Sequence, residues 1–234
     1  LFLNVAGSDS STDAASLTIT SDMKETNTTN DAVQVDLITS AYTTEVNFDL
    51  GSTDADIADG GTIQIEGADF TNATTVKVTS SDADIAVVLG FEGTDTFDLK
   101  DAGTLDLTGI VGTTTVVATT ADDVTIKGSS TKATTFEMNT GLDADDTITG
   151  GSATTDKVKV SFGTTAYTAT TGKFNLTGIE TLEIDTGEAS SVAGTIDLAL
   201  ATDLKTLSVH ANGVAAGDDG TNVTVKNIAS TTTI

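Results

Sequence analysis

The chain has 234 residues and a formal charge of −25, from 35 Asp and Glu against 10 basic residues, every one of them Lys. That balance excludes nucleic acid as a partner, since phosphates are held by clustered Lys and Arg, and the lack of Cys excludes disulfides, thiolate nucleophiles and Cys-based zinc sites. Only 4% of residues are aromatic, but 38% are hydrophobic, and they fall in short, regularly spaced clusters, so the acidity belongs to a folded protein rather than a disordered one.

The chain opens LFLNVAGSDSS, strand-like and without the basic n-region of a signal peptide. With no initiating Met and an abrupt STTTI at the other end, the expectation is a piece of a longer protein whose secretion signals lie elsewhere. Predicted strands follow at Leu17/Ile19, Val33/Val35/Leu37, Val46/Phe48/Leu50, Ile63/Ile65, Val76/Val78, Ile85 to Leu89, Phe97/Leu99, Leu105/Leu107 and Val116/Val117. They continue at Val124/Ile126, Phe136/Met138, Ile148, Val158/Val160/Phe162, Phe174/Leu176, Leu182/Ile184, Ile196/Leu198, Leu207/Val209 and Val223/Val225. The spacing of roughly 8–16 residues, with Gly, Asp, Ser, Thr and Asn in the breaks, predicts an all-β fold. Thr makes up about a fifth of the chain, as suits strands, where its branched Cβ fits the pleat. Ala55 to Asp59 and Ala199 to Leu204 have room for a helical turn or two. No apolar run exceeds the one at Ile85 to Leu89, far too short for a transmembrane segment.

From about residue 100 an internal similarity appears in LDLTGI (105–110), FNLTGIETLEI (174–184) and IDLALATDLKTLSV (196–209). A repeat of about 20–30 residues is what one coil of a β-solenoid consumes, each coil laying its strands on those of the coil before. The expected fold is therefore a parallel β-solenoid, at least from residue 100 onward, with β-sandwich domains as the alternative. Residues 1–100 repeat less clearly and are expected to form a β-rich subdomain, separate from or continuous with the solenoid-like repeats of 101–234.

Three acidic turns carry the candidate chemistry: GFEGTDTFDL (90–99), GLDADDTITGGSATTDKVKV (141–160) and AGDDGTNVTV (216–225). Glycine permits a tight turn that aims carbonyl oxygens inward, and a following Asp adds a carboxylate. Such oxygen sets suit Ca²⁺, which accepts six to eight oxygens in loose geometry. The candidate ligands are Asp95, Asp98, Asp143, Asp145, Asp146, Asp156, Asp218 and Asp219. The plainer alternative is that each segment is an acidic turn between strands. GFEGTDTFDL, and GLDADDTIT followed by the second Gly-Gly and Asp156-Lys-Val158, resemble degenerate copies of the glycine- and aspartate-rich RTX nonapeptide. Leu142, Ala144, Ser152 and Thr154 stand where full copies carry Gly or Asn.

With FNLTGIETLEI and GTDTF, the chain resembles the surface-layer proteins of Gram-negative bacteria, which leave the cell by type I secretion and carry RTX-type repeats, and also large secreted adhesins. The resemblance covers about residues 90–228. It implies an extracellular, cell-surface β-solenoid that self-assembles into a lattice, needs calcium to fold or assemble, and attaches to cell-surface polysaccharide. An adhesin or carbohydrate-binding β domain of a large secreted protein is the alternative.

Catalytic machinery is not expected. His210 is the single imidazole, with Asp218 and Asp219 the nearest candidate partners, and there is no Arg, Cys, phosphate loop or usable Ser/His/Asp arrangement. A polysaccharide-active enzyme would need aromatic and basic groove residues, and the chain has two Tyr and no Trp. The units Thr18-Ile19-Thr20, Thr113-Thr114-Thr115 and Thr147-Ile148-Thr149 hint at an outward threonine face of the kind that binds ice, but they do not recur at one coil length. The sequons at Asn27, Asn72, Asn175 and Asn222 are expected by chance in so Thr-rich a chain.

Overall fold

In the computed structural model the described residues are 5–6, 16–23, 38–39, 44–52, 62–65, 69–70, 73–81, 83, 86–89, 98–99, 103–118, 123–138, 142–161, 173–185, 193–210 and 222–234. Along the first half they form β1 (Val5–Ala6), β2 (Ser16–Met23), β3 (Ile38–Thr39), β4 (Glu45–Ser52), β5 (Thr62–Ile65), β6 (Asp69–Phe70), β7 (Thr75–Ser80), β8 (Ala86–Leu89), β9 (Asp98–Leu99), β10 (Thr104–Ile110) and β11 (Thr114–Ala118). Then come β12 (Thr125–Lys127), β13 (Thr134–Met138), β14 (Thr147–Thr149), β15 (Lys157–Ser161), β16 (Asn175–Thr177), β17 (Thr181–Asp185), β18 (Ala193–Asp197), β19 (Thr206–His210) and β20 (Asn222–Lys226). No helix occurs among the described residues. The stretch Ala199–Leu204 is a pair of turns, closed by Ala201 N–H to the Leu198 carbonyl and Leu204 N–H to the Ala201 carbonyl. Ala55–Asp59 lies outside the described residues.

From β4 to β17, leaving aside the two-residue strands, successive strands alternate between two seven-stranded sheets. The first runs β16-β14-β12-β10-β7-β4-β2 and the second β19-β17-β15-β13-β11-β8-β5, every pairing parallel. Each strand therefore pairs with the one a full coil earlier, the signature of a β-solenoid. Strands from either side of residue 100, such as β7 and β10, hydrogen-bond in the same sheet. The first sheet ends at β16, where Lys173 bridges to Asp197 next to the two-stranded pair β18-β20.

The register stacks like on like. Val46, Val76, Leu105, Ile126, Ile148 and Leu176 form one inward column of the first sheet, each at most 1% exposed. In the second sheet Leu89, Val116, Phe136, Val158, Leu182 and Leu207 form another, each at most 2% exposed. Between these residues lie outward Thr, Lys, Glu and Asp, so strands such as β7, β13, β15 and β17 alternate between a buried and a more exposed face. Burying a Val, Leu, Ile or Phe is worth about 1.5–3 kcal/mol. Spread over two facing columns, that burial lets a chain without disulfides hold together.

Coil length changes along the molecule. The Thr74 hydroxyl reaches the Thr44 carbonyl 30 residues earlier, whereas the side chains of Asp146 and Asp156 meet register partners 22 residues earlier. The longer early coils carry a third side made of two-residue strands, β1 with β3 and β6 with β9. Later coils go from one sheet to the other through tighter corners. Glycine is obligatory at one of these: a Cβ at Gly150 would collide with the Gly178 carbonyl of the next coil, and one at Gly151 with the Ser129 carbonyl of the previous coil. Gly178 itself turns with φ of 64°, a left-handed value that suits glycine.

Candidate functional site

A solenoid corner poses a specific problem. The chain leaves one sheet before it joins the next, and some of the amides that precede strands lack a backbone acceptor while remaining buried. In three places a carboxylate from the next coil supplies one. Asp146 Oδ1 accepts from the Val124 amide at 2.9 Å and its Oδ2 from the Asp143 amide at 2.8 Å. Asp156 Oδ1 accepts from the Thr134 amide at 2.7 Å and its Oδ2 from the Gly151 amide at 2.8 Å. Glu180 Oε2 accepts from the Asp156 amide at 2.9 Å, and Lys205 Nζ lies 3.8 Å from Glu180 Oε1. In each case acceptor and donor are partners in the strand register extended by one residue.

Asp146 and Asp156 are 1% and 0% exposed. Burial pushes the Asp146 carboxyl up to about 6; the two amide hydrogen bonds work against that shift, and the charges of Asp143 and Asp123 add to it. Asp156 is likewise raised by burial, opposed by its bonds from Thr134 and Gly151 and reinforced by Glu180.

Outside the Asp146 corner, Asp123, Asp143 and Asp145 each offer a carboxylate oxygen, all within 4.8 Å of one another. Asp123 and Asp145 are exposed and Asp143 half-buried. Asp143 Oδ1 also accepts from the Asp145 amide at 2.9 Å, which tightens the turn. Three carboxylates this close repel one another unless a cation or protons intervene. Their hard oxygens fit a cation of the Ca²⁺ type, with waters or carbonyls needed to complete its six to eight ligands.

Of the eight residues expected from the sequence, Asp143 and Asp145 converge in this cluster, and Asp146 and Asp156 turn inward onto backbone amides. Asp98 lies in β9, its backbone paired with Asp69. Asp95, Asp218 and Asp219 lie outside the described residues. Asp123 was not among the eight. Its signal was available, since it directly precedes the apolar Val124, the register partner of Asp146, but a link between separate coils is visible only once the coil length is known.

The outward faces carry ladders of their own. On the first sheet Lys77, Asp106 and Lys127 stack in register. For Asp106 partial burial opposes ionisation, but hydrogen bonds from the Thr108 hydroxyl and amide, with the charges of Lys127 and Lys77, outweigh it and hold the carboxyl below its usual range. Thr75, Thr104, Thr125 and Thr147 share the adjacent column, so threonines unevenly spaced in sequence align in space beside a charged row. On the second sheet His210 Nε2 lies 3.0 Å from Ser208 Oγ and 3.7 Å from Glu183 Oε1.

No protein-family model, curated protein or solved structure matches the chain.

Proposed function

We propose that the protein is a structural component of a bacterial cell-surface layer, extracellular and without catalytic activity, which self-assembles into a lattice and uses Ca²⁺ in folding or assembly. The observation that carries this reading is the solenoid itself: a scaffold of repeated parallel rungs whose conspicuous chemistry is carboxylate, placed at its corners. A chain of charge −25 repels its own copies, and divalent cations would neutralise that charge and bridge neighbours. Asp123, Asp143 and Asp145 are the first residues to hold such an ion. The phrases FNLTGIETLEI and GTDTF favour a surface-layer protein over an adhesin module, and attachment to cell-surface polysaccharide follows from the same resemblance.

Thermal melting in EGTA and in excess Ca²⁺, together with electron microscopy of the assembled material, tests the proposal. A higher melting temperature and ordered arrays with Ca²⁺ are expected. Identical melting curves would remove calcium from the proposal, and a chain that stays dispersed under every ionic condition would remove self-assembly.

A further inference from the structure

We infer that the outer face of the second sheet, from β13 to β19, is a contact surface for the same face of a second copy of this chain, the two solenoids lying antiparallel. This rests on the self-assembly proposed above and names the surface that performs it.

The face differs in charge from the chain as a whole. Against a total of 35 acids and 10 lysines, its outward ions are Lys157 and Lys159 on β15, Glu137 on β13, and Glu183 and Asp185 on β17, with Lys205 and Glu180 paired at its edge. Along one column the register runs Glu137, Lys159, Glu183, alternating in sign from rung to rung. Lys159 lies 2.8 Å from Glu137 and Lys157 3.3 Å from Glu183. These side chains keep between 20% and 41% of their surface exposed, so the ladder can accept further partners. Long-range repulsion between copies is weakest across a near-neutral face such as this.

The alternation also selects one arrangement. A two-fold axis parallel to the strands, passing between β15 and β17, keeps each column and reverses the order of rungs. Lys159 then faces Glu183 of the second copy, and Glu183 faces its Lys159; Lys157 meets Thr181, and Thr135 meets Thr206. A two-fold axis along the solenoid would set Lys159 against Lys159 and Glu183 against Glu183, which like-charge repulsion disfavours. The four strands that overlap have 5 residues each, and at about 3.3 Å per residue and 4.8 Å per strand they span about 320 Å² per copy. About 640 Å² in total is less than a stable isolated dimer buries. The contact is therefore weak singly and gains strength when it recurs in an array.

The absence of Cys makes cross-linking a direct test. In this arrangement two copies of Thr181→Cys place their Cα atoms about 11 Å apart, from a sheet separation of about 10 Å and a one-rung offset, with the thiols projecting toward each other, within reach of a short bis-maleimide. Thr181→Cys should cross-link to dimer at least fivefold faster than Thr147→Cys, which sits on the outer face of the first sheet. Adding Lys159→Glu or Glu183→Lys to Thr181→Cys should each reduce the rate to the Thr147→Cys level. An equimolar mixture of those two double variants should recover it, because only the mixed pair has complementary charges, and recovery also shows both variants folded. Equal rates for Thr181→Cys and Thr147→Cys, or a mixture that stays as slow as its components, would overturn the inference. If arrays still form with Ca²⁺ in that event, the face is wrong and the function stands. Cross-linking without arrays refutes the lattice reading and leaves the face.

Discussion

Removing the Asp156 carboxylate should unlock one corner of the solenoid. In Asp156→Ala the amides of Thr134 and Gly151 lose their acceptor, and Thr134 is fully buried, so water does not readily replace it. An unsatisfied buried donor costs about 1–3 kcal/mol. Two of them outweigh the gain from removing a carboxylate that burial disfavours, and a net loss of about 2 kcal/mol is expected. For a domain of this size that lowers the melting temperature by about 4–8 °C. Asp156→Asn should fall between, since its Oδ1 can still accept one amide while its NH₂ faces the other. Denaturant midpoints give the magnitude, and amide hydrogen exchange gives the location: Thr134 and Gly151 should lose protection well before Val76 or Leu105. A melting temperature unchanged in Asp156→Ala, or a uniform loss of protection along the chain, would refute the idea that the carboxylate acts locally as a corner acceptor.

Gly150→Ala should lower stability by about 1–3 kcal/mol through overpacking, since its Cβ meets the Gly178 carbonyl and the Asp156 carboxylate; a melting curve like that of the unaltered protein would show that the corner can move apart. Phe136→Ala removes one of the largest fully buried side chains, with an expected loss of about 3–5 kcal/mol in denaturant titration, and a loss below about 1 kcal/mol would mean that its column is not tightly packed. Stability should also depend on pH through Asp146. With its carboxyl raised from 3.8 to about 6, the folded protein binds the proton more tightly than the unfolded chain. The contribution is complete below about 3.8 and is lost as pH rises through about 6, a change on the order of 3 kcal/mol. The difference in urea midpoint between the protein and Asp146→Asn should therefore move in favour of the unaltered protein as pH falls from 7 to 4. A difference constant over that range would contradict it.

The stacking of coils was legible because inward residues must be apolar and must recur at coil intervals. FNLTGIETLEI marks it most clearly: Leu176 belongs to the first sheet, Leu182 and Ile184 to the second, and Gly178 turns the corner between them. LDLTGI is β10, whose Gly109 re-enters register after an irregularity that follows Asp106. The two-residue strands of the third side left no pattern, because a segment as short as Asp69-Phe70 has no periodicity to detect. The threonine columns escaped notice for a related reason: coil length changes, so a search at one fixed spacing misses residues that the register aligns.

Acidity in the turns has two structural outcomes, and parity along the strand separates them. Side chains on extended backbone alternate sides, so an acid two residues ahead of the first inward apolar residue also points inward. Asp146-Thr-Ile148, Asp156-Lys-Val158 and Glu180-Thr-Leu182 all have this form, and all three acids take a backbone amide from the coil before. An inward acid at a corner is useful because the surplus there is of donors, and a carboxylate offers acceptors only. Asp145, one residue out of phase with Ile148, is exposed and joins Asp123 and Asp143. Within the single phrase GLDADDTIT the fourth residue before Thr147 and the second before it face solvent or the cluster, while the one directly before it is drawn into the fold. The turn GLDADDTIT therefore combines a fastening between coils with an outward group of carboxylates suited to a cation, and the spacing to the next inward Val, Ile or Leu tells which acid does which.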